Sequence, residues 1–113
     1  FRRVLFRSPH EDIIYLNNML YHVGHRIIIA SGRSDRQRDT TEDWLCEHGV
    51  CYHAIYMRRD GDYRSDDIVK EELLDQMILD GWNPKMVFDD RQRVVDMWRR
   101  RGIRCLQVAP GDF

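Results

Sequence analysis

The sequence predicts a Rossmann-like α/β domain, in which helices cover both faces of a mainly parallel sheet in three layers. Helix-like stretches alternate with short apolar runs, and a glycine stands between each helix and the run after it, at positions 24, 49, 81 and 102. The runs are "RIIIA" (26–30), "AIYM" (54–57), "KMVF" (85–88) and "IRCLQV" (103–108). Glycine often ends a helix, and short aliphatic runs are typical of buried strands. Their alternation predicts right-handed β-α-β connections.

The helices are predicted from capping signals and apolar periodicity. The first begins at "SPHE" (8–11), which has the form of a capping box. The second is short and is anchored by Trp44 and Leu45, after a polar stretch (34–41) interpreted as a loop. The third runs from position 66 to about 80, with apolar residues at 69, 73 and 77. The fourth runs from about 91 to 101, buries Trp98 and ends in arginines that suit the helix dipole.

Residues 1–8 do not fit this pattern. A doubly wound fold ordinarily begins with a strand, whereas only "RRVLF" precedes the first helix. We predict that residues 1–8 are a surrogate strand or non-native sequence, since "LFRS" is what one reading frame of a common sequencing adapter would encode. Residues 9–113 are then one partial domain that is truncated at its N-terminus.

Composition limits the class of protein. The chain has 113 residues, of which 42% are hydrophobic and 33% charged, with a net charge of −1, which is typical of a globular domain. No apolar run approaches the ~20 residues that span a bilayer, so we expect no membrane partner and a cytoplasmic setting. The three cysteines are irregularly spaced and are expected to be reduced. The near-zero net charge argues against a protein that coats nucleic acid non-specifically. Arginine-rich islands still allow local basic patches.

The first candidate site residues follow "RIIIA". In open parallel sheets, ligands bind beyond the carboxyl ends of the strands, and Ser31, Gly32 and Arg33 stand at that place. A hydroxyl, a glycine that permits close backbone approach and a guanidinium suit a phosphate. An ordinary turn with a serine cap explains the same tripeptide. Both interpretations stay open for this tripeptide taken alone.

Lys70 and the pair Asp89-Asp90 follow the next two runs. The helix dipole disfavours Lys70 near a helix start, so either Asp66 one turn earlier or a phosphate or aspartate cluster at the sheet edge must compensate it. The paired aspartates are either a helix cap or magnesium ligands, because adjacent carboxylates repel unless a cation or donors hold them. The order serine, lysine, paired aspartates, each after a successive run, favours a magnesium site, with one aspartate also serving as the cap.

This order resembles the second to fourth motifs of the haloacid dehalogenase superfamily of phosphotransferases. The stretches "SGR", "GDYRSDDIVKEEL" and "VFDDRQRVVDMWRRRGIRCLQVAPGDF" are similar to the phosphatase domain of phage-type polynucleotide kinase-phosphatases, and the resemblance runs from about Pro9 to Phe113. It implies a haloacid dehalogenase-like fold and magnesium-dependent removal of a phosphate from the 3′ end of DNA or RNA, through an aspartyl-phosphate.

The resemblance also implies roles for individual residues. Ser31 and Lys70 would be catalytic, and Asp89 and Asp90 would complete the Mg²⁺ site. The residues expected to hold phosphate or the polynucleotide are Gly32, Arg33, Arg58 and Arg64. A kinase domain could lie upstream in the full-length protein, whereas the oligomeric state and the choice between DNA and RNA stay open.

The chain departs from the family at one motif. The family's nucleophile and its general acid lie in a D-x-D-G-[T/S] motif after the first strand, and this motif occurs nowhere in the 113 residues. We therefore expect the parent protein to be a phosphatase and this chain by itself to be inactive. The alternatives are a non-catalytic module that binds phosphate or nucleic-acid ends, and a small-molecule phosphatase of the same superfamily.

Overall fold

Helices and strands alternate along the chain as the sequence predicts. The computed structural model describes residues 11–111, so the predictions for residues 1–8 and for the capping box at positions 8–11 lie wholly or partly outside the described residues. The elements in chain order are α1 (Glu11–His22), β1 (Ile28–Ser34), a 3-10 turn (Asp35–Gln37), α2 (Arg38–Glu47), β2 (Ala54–Arg58), α3 (Asp66–Leu79), β3 (Met86–Asp89), α4 (Gln92–Arg100) and β4 (Arg104–Gln107). The α/β class is confirmed.

The strands pair in two separate sheets across residues 11–111. β1 pairs with β2, and β3 pairs with β4. The second pair is parallel, with Met86 opposite Arg104 and Asp89 opposite Gln107. The single sheet expected from the sequence is therefore not formed by these residues. The resemblance implies a further strand in the middle of the sheet, and the described residues do not include one.

The chain divides into two compact units. The described part of the first unit is residues 11–29 and 36–56, and the second unit consists of Ala30–Asp35 and the chain from Met57 onward. Every site residue predicted from the sequence falls in the second unit. The prediction that residues 9–113 form one partial domain stays a prediction.

The helix α1 has no buried residue, and polar contacts join it to other residues of the first unit. Asn17 Nδ2 donates to the Cys51 carbonyl at 2.9 Å, and Asn18 Nδ2 donates to the Gly49 carbonyl at 2.8 Å. The Tyr21 ring stacks on His53 with a centroid distance of 4.7 Å. These contacts hold the segment after α2 against α1.

The second helix corrects two expectations. Of its predicted anchors, Leu45 is buried, but Trp44 is 40% exposed and stacks on His48 at 3.9 Å. The stretch 34–41 is not a loop, because α2 begins at Arg38. An i,i+4 ion pair between Arg38 and Glu42 supports this polar start of the helix, and composition alone did not reveal it.

The second unit contains a hydrophobic core between α3, α4 and the β3-β4 pair. Its buried members are Leu74, Val94, Val95, Met97, Trp98 and Cys105. Trp98 is only 2% exposed, which confirms its predicted place. Because α4 packs this face inward, it fixes the carboxyl end of β3, where the paired aspartates lie.

Three further observations concern the glycines, the cysteines and the length of the helices. The glycines at 24, 49, 81 and 102 all have positive φ angles, as predicted for helix ends. The three cysteines are free thiols. Within residues 11–111 there is no helix long and apolar enough to cross a membrane.

Candidate active site

The serine-glycine-arginine tripeptide lies inside β1 and not after it, because the strand continues to Ser34. Of the two interpretations left open, the ordinary turn is therefore wrong. The Ser31 Oγ accepts the Arg33 N–H at 3.1 Å, and the exposed Arg33 follows directly along the strand. Gly32 is needed for close packing, since a Cβ built there would lie 2.7 Å from Asp66 Oδ1. The start of α3 thus presses a carboxylate against the backbone of this strand.

Asp66 binds two arginines and not Lys70. Its Oδ1 accepts from Arg58 Nη2 at 2.5 Å, and its Oδ2 accepts from Arg91 Nη1 at 2.9 Å. The Asp66 side chain is only 20% exposed, so both ion pairs are partly shielded from water. Sequence reasoning treated Asp66 as a helical neighbour of Lys70 and passed over Arg91. The only local signal was the placement of Arg91 directly after the paired aspartates.

Arg58 joins three segments of the second unit. Its Nε donates to the Gly32 carbonyl at 2.7 Å. Its Nη1 donates to the carbonyls of Asp62 and Arg64 at 3.0 and 2.6 Å. Together with the bond to Asp66, these contacts use most of the five N–H donors of the guanidinium. The structure therefore makes Arg58 a positioning group, and a direct contact between Arg58 and phosphate stays a prediction.

Arg64 forms a surface network with two carboxylates. Its guanidinium donates to Asp62 at 2.9 and 2.8 Å and to Glu72 at 2.8 and 2.5 Å. Hydrogen bonds from Arg64 hold the pKa of Asp62 far below its usual range, and the same guanidinium lowers the pKa of Glu72. Arg64 thus fixes the loop before α3, and its predicted contact with the polynucleotide stays a prediction.

Asp89 is held by four donors at the end of β3. Its Oδ2 accepts from Lys70 Nζ at 3.3 Å and from Trp98 Nε1 at 3.2 Å. Its Oδ1 accepts the backbone N–H of Asp90 at 2.8 Å and that of Arg91 at 3.4 Å. The side chains of Lys70 and Asp89 are only 13% and 9% exposed. Lys70 is therefore compensated by Asp89 at the sheet edge and not by Asp66 in its own helix.

The helix-cap interpretation of the aspartate pair is wrong. The N-cap residue of α4 is Arg91, and no side chain caps the helix there. Asp89 instead receives two peptide N–H groups just before the helix, as an Asp often does in a turn. Trp98 was predicted only as a core residue, and its N–H bond to Asp89 was missed.

Asp90 differs sharply from its neighbour. The residue is exposed, and its carboxylate makes no hydrogen bond or ion pair to the part of the chain from 11 to 111. Its backbone is fixed, because its carbonyl accepts from Gln107 Nε2 at 3.2 Å and lies against Gly111, where a Cβ would approach to 2.0 Å. The backbone is therefore held while the carboxylate stays open to solvent.

The donor set fits part of a magnesium site. Mg²⁺ prefers oxygen ligands and often takes only one or two carboxylates, completing its octahedron with waters and phosphate. Asp90 offers such a carboxylate, whereas the four acceptor positions of Asp89 are already used. Residues 11–111 include no group of three or more His, Cys, Asp or Glu side chains placed to hold a metal. Other ligands would have to complete the site.

Comparison with known proteins gives one family. The family model for the phosphatase domain of polynucleotide kinase PNKP matches residues 1–113. Two solved structures of a Pnkp1/Rnl/Hen1 complex, one described as an RNA repair complex, contain a chain 35% identical to this one. The similarity covers 96% of this chain in both, with TM-scores of 0.80 and 0.81.

A viral protein is also similar. A putative bifunctional polynucleotide kinase/RNA ligase of Autographa californica nuclear polyhedrosis virus is 32% identical over 74 residues, or 65% of this chain. The present chain spans 11% of that protein and 34% and 37% of the chains in the two complexes. All of these relatives are thus much longer than this chain of 113 residues.

Proposed function

The chain belongs to the family of the polynucleotide kinase PNKP phosphatase domain, and from this premise we propose that it is the phosphatase part of a longer nucleic-acid repair enzyme. The proposed reaction is magnesium-dependent hydrolysis of a 3′-terminal phosphomonoester on DNA or RNA. The observation that supports it is the largely buried ion pair of Lys70 and Asp89, which joins two of the three motifs. The third motif is linked to the start of α3, because Gly32 lies against Asp66, and Asp66 pairs with Arg91, the residue after the aspartate pair.

Ser31 and Lys70 are the groups that would act on the phosphate. The Ser31 Oγ accepts an N–H from Arg33, and its own proton has no acceptor between residues 11 and 111, so it can donate to a phosphoryl oxygen. The Lys70 ammonium would stabilise the charge that develops on that group, because phosphoryl transfer depends mainly on positioning and charge neutralisation. Arg33 would add a bidentate contact.

Asp90 is the residue that we propose binds Mg²⁺ directly. Its carboxylate is exposed while its backbone is fixed, whereas the Asp89 carboxylate holds Lys70 and is itself held by Trp98. A bound Mg²⁺ would supply Lewis-acid polarisation of the phosphoryl oxygens. In this proposal the two aspartates divide the work, since Asp89 positions the lysine and Asp90 binds the metal.

The nucleophile is not among these groups. By resemblance to the family, it is the first aspartate of D-x-D-G-[T/S], which would form an aspartyl-phosphate, and the 113 residues contain no such motif. We therefore propose that these residues alone bind the phosphorylated end but do not hydrolyse it. The viral relative is described as a kinase and ligase, and by analogy a kinase domain in the same polypeptide is part of the proposal.

The test is phosphate release from a 3′-phosphorylated oligonucleotide by two proteins. One is the 113-residue chain, and the other is the same chain preceded by a strand that carries D-x-D-G-[T/S]. We expect magnesium-dependent release only from the second protein. In it, Lys70→Met should lower the rate by about 10²- to 10³-fold, as when one charge-stabilising group is removed. Lys85→Met is the matched control, because Lys85 is exposed.

Three results would change the proposal. Phosphate release by the 113-residue chain alone would contradict the proposal that this chain is inactive. Equal rates on the oligonucleotide and on a nucleoside 3′-monophosphate would favour a small-molecule phosphatase. A non-catalytic end-binding module is the second candidate, favoured by the missing motif, and it would be supported by tight binding without release in the longer protein.

A further inference from the structure

Tyr63 is the large hydrophobic residue with the highest exposure between residues 11 and 111, at 94%. It lies in the segment between β2 and α3, after the carboxyl end of β2. A single exposed hydrophobic side chain needs no explanation by itself. The backbone around Tyr63, however, is held by several hydrogen bonds.

Two consecutive turns fix the backbone around Tyr63. The Asp62 N–H donates to the Arg59 carbonyl at 3.1 Å, and this turn is closed through Gly61, whose φ of 83° suits glycine. The Arg64 N–H then donates to Asp62 Oδ1 at 3.1 Å, which places Tyr63 at the centre of an Asx turn. The exposure of the ring is therefore a property of a defined turn.

Arg58 ties this turn to the candidate phosphate site. One of its nitrogens, Nη1, donates to the carbonyls on both sides of Tyr63, those of Asp62 and Arg64. Its Nε donates to the carbonyl of Gly32. Ser34 Oγ also donates to a carboxylate of the same segment, at 3.0 Å. The Tyr63 backbone and the Ser31-Gly32-Arg33 strand are thus bound to one guanidinium.

The charges around Tyr63 are of both signs. Arg64 pairs with Asp62 and with Glu72, so its single positive charge balances one of their two negative charges. Aromatic side chains stack on the faces of nucleobases, and this contact tolerates any sequence because every base has a π-face. A nucleobase is separated from its own phosphate by a single sugar. An exposed tyrosine ring on a fixed backbone, beside a candidate phosphate site, therefore fits a terminal nucleotide.

We propose that Tyr63 is a stacking platform for the nucleobase at the 3′ end of the polynucleotide, when the terminal phosphate lies at Ser31, Gly32 and Lys70. This inference rests on the proposed function, because it takes the position of the phosphate from it. It adds a determinant of substrate class: the site distinguishes a nucleotide end from other phosphomonoesters by the base and not only by the phosphate.

The experiment measures binding, so that it does not require turnover by the 113-residue chain. Two 3′-phosphorylated oligonucleotides are compared by fluorescence anisotropy, one intact and one abasic at its terminal nucleotide. The wild-type chain should bind the intact oligonucleotide roughly 5- to 150-fold more tightly, which is the range for one base stacked on an aromatic ring. Tyr63→Leu should remove this preference, and Tyr63→Phe should keep it.

The matched control is Tyr15→Leu, which removes another exposed tyrosine, 51% exposed, in α1. It should leave the preference unchanged. The inference is overturned if the wild-type chain binds both oligonucleotides equally, or if Tyr63→Leu keeps the preference. A 3′-hydroxyl oligonucleotide distinguishes failure of this inference from failure of the proposed function. The proposed function alone fails if 3′-phosphate and 3′-hydroxyl ends bind equally while the Tyr63→Leu loss persists.

Discussion

Asp66 and Asp89 are both largely buried carboxylates of the second unit, yet they are held in different ways. Asp66 is bound by the guanidinium groups of Arg58 and Arg91, which stand at the ends of long side chains. Asp89 is bound by Lys70, by the buried indole of Trp98 and by two peptide N–H groups. Unlike the end of a long side chain, a backbone N–H group cannot rotate away from the carboxylate. The difference teaches that Asp66 depends on cations that it also orders, whereas Asp89 would keep its position if one donor were lost.

The largest expected effect is therefore that of Asp66→Ala. Removal of one partner from a buried ion pair leaves charges uncompensated and commonly costs about 3 to 5 kcal/mol. Because Asp66 is 20% exposed, we expect about 3 kcal/mol, measured as a loss in free energy of unfolding by urea denaturation. The control is Asp75→Ala, since Asp75 is 55% exposed in its pair with Arg101 and should cost less than about 1 kcal/mol. Equal losses would contradict the proposed difference.

A double mutant sharpens the same contact. Gly32→Ala alone should destabilise the chain by about 1 to 3 kcal/mol, as other overpacking substitutions do, because its Cβ would meet Asp66 Oδ1. With Asp66→Ala already present, the space for this Cβ is open. Gly32→Ala should then cost measurably less, which a double-mutant cycle detects. Strict additivity of the two losses would show that Asp66 does not press against Gly32.

For Asp89, the corresponding test is Trp98→Phe. The aromatic ring stays in the core, but the bond from Nε1 to Asp89 is lost, and a hydrogen bond to a charged group contributes about 1.5 to 3 kcal/mol. We expect a loss of about 2 kcal/mol in free energy of unfolding, with binding of 3′-phosphorylated ends largely kept, because Lys70 and two peptide N–H groups still hold Asp89. Trp82→Phe is the control. The role assigned to Trp98 is wrong if both variants lose the same stability.

A smaller effect is expected for the exposed network of Arg64. Since Arg64 lowers the pKa of Asp62, the ionised pair stabilises the folded state above the unfolded pKa of 3.8, and this contribution is lost as the pH falls through the lower folded value. Carboxyl resonances followed by NMR should give an Asp62 midpoint well below 3.8. With Arg64→Gln, the midpoint should rise toward 3.8, although the backbone N–H of residue 64 and the charge of Arg58 still lower the pKa of Asp62. An unchanged midpoint in the variant would contradict this cause.

Asp90→Asn should have the smallest effect on stability, less than about 0.5 kcal/mol, because the side chain is exposed and only its backbone is fixed. Its effect should instead appear in metal dependence. In the wild-type chain, Mg²⁺ should strengthen binding of a 3′-phosphorylated oligonucleotide, and in Asp90→Asn this gain should disappear. Asp96→Asn, on the exposed face of α4, is the control. A magnesium gain that persists in Asp90→Asn would refute its role as a ligand.

The sequence predicted the alternation of helices and strands, the helix-ending glycines and the buried Trp98, because each depends on neighbouring residues. It also predicted that Lys70 lies near the paired aspartates, because the order of the motifs places these residues at strand ends. It did not predict the two arginines on Asp66, the indole bond to Asp89 or the helix over the polar stretch before Trp44. The contacts of Asp66 and Asp89 join residues 8 to 25 positions apart, which no local periodicity records. The helix is supported by the Arg38–Glu42 ion pair, which composition alone did not reveal.

The pairing of Lys70 with Asp89 bears on how tightly a phosphate would be held. An ammonium group in water must shed its hydration shell before it can contact an anion, and this dehydration weakens binding. Lys70 is only 13% exposed, so most of that cost is met when the chain folds, with Asp89 as the counterion. An arriving phosphate would then add a second anionic partner, because Asp89 uses one of the three N–H donors of the ammonium group. The Lys70 ammonium group would already be largely dehydrated and held in position.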